Sequence, residues 1–148
     1  NFLLNHQSQI EESEVQIKTH FIHSKPFSTK HSKLSQVIEN LMNNAVKFSN
    51  PNAPKKIVEI STYNDVDWFY IQIKDNGLGI PEDRHSEVFS MFKRFHQNVE
   101  GHGIGLYMVK KFVDKLNGEI NFESSLENGT CFYVKLPFER QDRPLPKN

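Results

Sequence analysis

One cysteine, Cys131, is all the thiol this 148-residue chain has. An intrachain disulfide is thereby excluded, and a reducing compartment fits. A prevailing charge is missing too: 18 Lys and Arg stand against 18 Asp and Glu, with no acidic or basic tail. The chain therefore lacks the electrostatic footprint of a nucleic-acid module, and no nucleic-acid partner is expected. No apolar run approaches the roughly 20 residues that a membrane span needs, and no signal-peptide pattern opens the chain. Membrane contact by these residues is not expected. An initiating Met is absent, so the chain reads as an excised piece of a longer protein whose own membrane status stays open. Internal repeats are absent.

What remains is 36% hydrophobic, enough at this length for one domain with a real core. Residues 1–13 read as a helix or the end of a preceding domain. Val15, Ile17, Thr19 and Phe21 alternate with polar residues, the pattern of a half-buried strand. Leu34, Val37, Ile38, Leu41, Met42, Ala45 and Val46 recur at helical spacing until Pro51 and Pro54 stop them. Residues 57–63 and 68–74 read as a strand pair. A second helix carries Leu106, Val109, Phe112, Val113 and Leu116, with Gly118 where a left-handed cap is expected. Residues 119–124 and 130–136 form a last strand pair about an Asn128-Gly129 turn. Residues 14–138 are thus one domain, and 139–148 read as a flexible tail. Helices on one face of a mixed, mostly antiparallel sheet give an α+β fold, a two-layer α/β sandwich.

Glycine is scarce, seven residues in all, yet two short segments place it at alternate positions: Asp75-Asn76-Gly77-Leu78-Gly79-Ile80 and Gly101-His102-Gly103-Ile104-Gly105-Leu106. Such spacing lets a backbone bend tightly or approach a ligand closely. The second segment runs into a helix whose free amides suit an anion. Neither segment is a Walker A loop or a Rossmann fingerprint. Together they suggest a nucleotide site with a base end and a phosphate end.

Asn40, Asn44 and Lys47 share one polar stripe beside the core face of the first long helix. An amide oxygen can ligate a hard cation and a lysine can meet a phosphate. A solvated helix face accounts for the same residue types. Asp75 continues the inward parity of Phe69, Ile71 and Ile73. Two readings stand open: an acceptor for an amino group such as adenine's, or a carboxylate capping its own Asp-Asn-Gly turn. His20 and His23, the tightest pair among seven histidines, point to opposite faces of a strand, which argues against zinc. Cys131 has no partner triad for nucleophilic catalysis.

Taken in order, these segments resemble the ATP-binding catalytic domain of sensor histidine kinases, within the Bergerat (GHKL) ATPase group. Residues 40–48 look like its N box, 75–80 its G1 box, 89–95 its F box and 101–106 its G2 box. Gly129-Thr130-x-Phe132 resembles the motif that closes the domain. The resemblance covers residues 10–138 and implies a Bergerat fold that binds ATP with Mg²⁺. It implies that Asn44 ligates the metal with Asn40 assisting, that Lys47 neutralises phosphate charge, and that Phe48 lines the pocket. Asp75 would accept from the adenine amino group. Gly77 and Gly79 would admit the base, with Ile80, Ile104, Leu106 and Thr130 as further nucleotide contacts. Residues 81–101 would be a mobile ATP lid, Arg94 would meet the γ-phosphate, and Gly101, Gly103 and Gly105 would wrap the phosphates. His102 departs from the small residue usual there, and it adds a phosphate contact or crowds the loop.

The resemblance also implies partners: a helical dimerisation domain of the same parent, carrying the phospho-acceptor histidine, and a downstream response regulator. No acceptor pattern surrounds any histidine here, so ATP binding with little turnover alone is expected, in a cytoplasmic setting whose parent can be membrane-anchored. Two alternatives remain, a Bergerat-group ATPase clamp and a degenerate nucleotide- or partner-binding module. Clamp ATPases usually carry a glutamate where this chain has Asn40.

Overall fold

The computed structural model describes residues 7–22, 24, 31–91 and 103–138. Chain order runs α1 (Gln7–Ser13), β1 (Val15–Phe21), α2 (His31–Lys47), β2 (Lys56–Asn64), β3 (Trp68–Asp75), a 3₁₀ helix (Glu82–Glu87), α3 (Gly105–Lys115), β4 (Glu119–Ser125) and β5 (Gly129–Pro137). The strands form one sheet in the order β1-β2-β3-β5-β4. β1 lies parallel to β2, and every other neighbour pair is antiparallel. α2 and α3 pack on each other and on one face of that sheet, so the mixed α+β sandwich expected from the sequence is what forms.

Period-2 and period-3.6 patterns converge on one core. Val58, Ile71, Ile73, Val134 and Leu136 from the sheet meet Val37, Leu41, Val109 and Val113 from the helices, all at most 2% exposed. Burial of each such side chain contributes about 1.5–3 kcal/mol. Phe138, just past β5, closes one end, its ring edge-on to Phe69 at 6.5 Å.

The structure corrects three local expectations. In β1 only Val15 is buried, and Phe21 is 59% exposed, because β1 is the sheet edge and the short α1 packs on it. At the end of α3 the left-handed residue is Asn117, φ 59°, one place before Gly118. Gly118 N–H then bonds back to the Val113 carbonyl at 2.9 Å, a Schellman closure. Gly118 answers a different need, since a Cβ there would lie 2.5 Å from the Lys135 carbonyl oxygen. Finally, Ser125 pairs with Gly129 across a three-residue loop, with Gly129 at φ 80°, instead of a two-residue Asn-Gly turn.

Candidate functional site

β3 and β5 end side by side, with Asp75 opposite Thr130. Beside them a cavity of about 400 Å³, open mouth included, is walled by Asn44, Phe48, Asp75, Gly79, Ile80, Leu106, Thr130 and Phe132. Six of these walls come from the segments 40–48, 75–80 and 101–106, and two from β5. Long-range pairing thus gathers residues up to 88 positions apart, from Asn44 to Phe132.

Asp75 does what the turn reading asks. Its Oδ1 accepts the Gly77 N–H at 2.8 Å, closing the turn, and the Thr130 N–H at 3.3 Å from the neighbouring strand. Burial pushes its carboxyl up to about 6, against the smaller opposing effect of those two amides. Both amides use Oδ1, which leaves Oδ2 as the oxygen available to a donor in the cavity. The next residue, Asn76, is a staple: its Oδ1 accepts the Ile57 N–H at 2.8 Å and its Nδ2 donates to the Lys55 carbonyl at 2.7 Å.

The turn after Asp75 is locked on two sides. Leu78 N–H donates to the Phe48 carbonyl at 2.9 Å, and a Cβ at Gly77 would sit 2.4 Å from that same oxygen. Gly79 has φ +69°, and a Cβ there would fall 1.9 Å from the Ser125 carbonyl oxygen. Both glycines are therefore required by neighbouring backbone, whatever else they admit.

Gly105 differs. Among the described residues, the nearest atom a Cβ there would meet is Asn44 Oδ1, at 4.0 Å. Gly105 opens α3 beside Asn44, and among the described residues no side chain caps the start of that helix. Of the remaining residues singled out in the sequence, Asn40 and Lys47 stand on the same helix as Asn44 but outside the cavity walls, as do Gly103 and Ile104. Asn40 is half-buried, while Lys47 is exposed with its Nζ 5.8 Å from the Phe48 ring centre. Arg94, Gly101 and His102 lie outside the described residues.

Three contributors, Ser124, His85 and Phe122, belong to none of the motif segments. Ile80 is held at both ends of its backbone: its N–H donates to Ser124 Oγ at 2.8 Å, and His85 Nε2 bonds its carbonyl at 3.0 Å. Phe132 walls the cavity and belongs to an aromatic cluster with Phe89 and Phe122, the latter edge-on to His85 at 5.0 Å. Of the lid expected over residues 81–101, the described part, 81–91, is anchored on this cluster through Phe89. Val88 is 2% exposed and Phe89 is wedged against Phe122 and Phe132. Val88 and Phe89 thus form a packed shoulder of the site, while none of residues 82–87 is buried.

The family of histidine kinase-, DNA gyrase B- and HSP90-like ATPases matches residues 29–140, which hold every cavity wall. The chain belongs to that family. ATP binding goes with membership. Among curated relatives, the chain is 38% identical over 113 residues to the sensor protein RprX of Bacteroides fragilis, covering 74% of this chain and 22% of that one. It is 33% identical over 138 residues to the phytochrome-like protein Cph1 of Synechocystis, covering 91% and 18%. The chain thus spans about a fifth of these relatives. Its fold matches the catalytic domain of histidine kinase ThkA with a TM-score of 0.80 at 21% identity, over 96% of this chain and 91% of that one. The mycobacterial sensor histidine kinase MprB gives 0.75 at 24%, over 97% and 95%.

In this ATPase domain the His85 bond is expected to tune the base end of the site. His85→Ala should weaken ADP binding by about fivefold, the worth of roughly 1 kcal/mol for one hydrogen bond. His85→Gln, which keeps an N–H donor, should recover much of it. Calorimetric titration of both variants checks this, and equal affinities in His85→Ala and the parent chain would discard the role.

Proposed function

We propose that this domain binds Mg²⁺–ATP and donates the γ-phosphate to a histidine on a helical dimerisation domain of its parent protein, upstream of a response regulator. The observation that carries the reading is Asp75: a half-buried carboxylate with one oxygen anchored by two amides and the other left toward an apolar cavity. That is an acceptor built for the amino group of a base, with Phe48, Ile80, Leu106 and Phe132 as walls that exclude water.

The phosphate end fits the charge it would receive. Uncapped amides at the start of α3 suit an anion. Asn44 supplies an uncharged oxygen donor beside the space at Gly105, which suits a hard cation that keeps several waters. Bound there, Mg²⁺ would neutralise charge on the phosphates. Lys47, at the end of the same helix, adds a mobile positive charge, and we assign Asn40 to support Asn44 and Arg94 to the terminal phosphate. Gly101, His102, Gly103 and Ile104 complete the phosphate loop in this reading. Phosphoryl transfer asks chiefly for positioning and charge neutralisation, and these residues offer both. We place the domain in the cytoplasm, where ATP is available and a lone thiol stays reduced.

The test supplies the parent's helical domain in trans with radiolabelled ATP. Histidine phosphorylation is expected with the native chain and a loss of about 100-fold or more with Asn44→Asp, which alters the metal donor and repels phosphate. Undiminished transfer in Asn44→Asp would remove that residue from the metal role. Absence of saturable ATP binding by the native chain would remove the kinase reading altogether.

A further inference from the structure

Ser124, on β4, belongs to none of the motif segments, yet its hydroxyl is the most connected polar atom at the base end. Oγ lies 2.8 Å from the Ile80 nitrogen, 3.1 Å from the Gly129 carbonyl oxygen and 2.7 Å from Thr130 Oγ1. A serine hydroxyl has one proton and two lone pairs. The Ile80 N–H can only donate, and the Gly129 carbonyl can only accept. All three contacts are satisfied together in a single arrangement: Ser124 accepts from Ile80, donates to Gly129 and accepts from Thr130.

The Thr130 proton is then spent on Ser124. Thr130 walls the cavity and is 7% exposed, so what it turns toward a ligand is a lone pair. Asp75 beside it is an acceptor as well, with its anchored oxygen fixed by the Thr130 amide. These two side chains therefore present acceptors only. A base with an exocyclic amino group satisfies them, whereas a keto oxygen in the same place meets lone pairs from both sides.

We propose that Ser124 is the positioning residue that sets base selectivity, by fixing the direction of the Thr130 hydroxyl. The proposal rests on the nucleotide-binding reading of the cavity. Remove the Ser124 hydroxyl, and Thr130 is free to rotate and donate to a keto group. Selectivity between amino and keto bases should then fall more than affinity does.

The 148-residue chain is titrated calorimetrically with Mg²⁺ and either ADP or inosine 5′-diphosphate, whose bases differ at that position. The native chain is expected to prefer ADP. Ser124→Ala should lower ADP affinity by about fivefold, the worth of one hydrogen bond, and the ADP-to-IDP ratio by about tenfold. Thr130→Val should lower the ratio comparably, and the double variant should lower it no further than either alone. If Ser124→Ala fails to fold by circular dichroism, Ser124→Cys, with its weakly bonding thiol, takes its place and is read by the same ratio. An unchanged ratio, even with both affinities reduced, would overturn the proposal and leave Ser124 a purely structural residue. A native chain that binds neither nucleotide would instead overturn the nucleotide reading beneath it.

Discussion

Asp75→Asn is expected to lose nucleotide binding and to gain stability. The native carboxyl is held at about 6 by burial, against 3.8 for the free group. That difference corresponds to a cost of about 3 kcal/mol for keeping the charge in the folded domain at neutral pH. The folded state holds the proton more tightly than the unfolded one, so stability falls as pH rises between about 4 and 6, and the full cost is present above 6. Asparagine removes the charge yet keeps an oxygen for the Gly77 and Thr130 amides. The nucleotide-free variant should therefore melt several degrees higher than the native chain at pH 7.5, at about 2–4 °C per kcal/mol for a domain of this size. Near pH 4 the two should converge.

Binding moves the opposite way. The amide can present an N–H where a donor should enter, and a charge-assisted bond worth about 1.5–3 kcal/mol is lost, so ADP affinity should fall by about 10–150-fold. Native affinity should itself decline as pH drops below about 6, when Asp75 takes up a proton. Thermal melts and calorimetry at pH 7.5 and 5.0 read both effects. A variant that melts lower and binds as before would contradict the whole account of Asp75.

Two glycine substitutions should separate what the fold requires from what the ligand requires. Gly79→Ala places a methyl 1.9 Å from a backbone carbonyl at a residue with φ +69°. The left-handed conformation alone costs roughly 1–2 kcal/mol for a residue with a side chain, and the Ser125 carbonyl cannot move without carrying the β4–β5 hairpin with it. A loss of at least about 4 kcal/mol is expected, which is exceptional for a single methyl, together with loss of ADP binding. Gly105→Ala meets nothing closer than 4.0 Å among the described residues and begins a helix. It should be neutral or stabilising by about 0.5–1 kcal/mol. A tenfold or greater loss of ADP affinity in that stable variant would locate the phosphates beside Gly105. Urea denaturation paired with ADP titration decides, and unchanged ADP binding in Gly105→Ala would move the phosphate end elsewhere.

Much of this is legible in the sequence. The runs from Leu34 to Val46 and from Leu106 to Leu116 buried the faces their spacing predicts, and the inward parity of Phe69, Ile71 and Ile73 carried through to Asp75. These are local periodicities, and the core rewards them directly. Legibility failed where a tertiary partner decides. Phe21 obeys the strand pattern but lies on a sheet edge, and Val88 sits in a polar stretch yet is fully buried. Ser124 reaches Ile80 from 44 positions away, and His85 reaches it from five. Neither separation has a period, so neither bond leaves a trace in the pattern.

The place of β5 has a consequence for biosynthesis. Last of the described strands in chain order, it is inserted between β3 and β4 near the middle of the sheet. Until it docks, Asp75 lacks its Thr130 amide, and Thr130 and Phe132 are missing from the cavity. A nascent chain emerging from the ribosome can therefore form α2 and the β2–β3 hairpin early without any competence for nucleotide. Nucleotide occupancy therefore requires that β5 has been synthesised and docked.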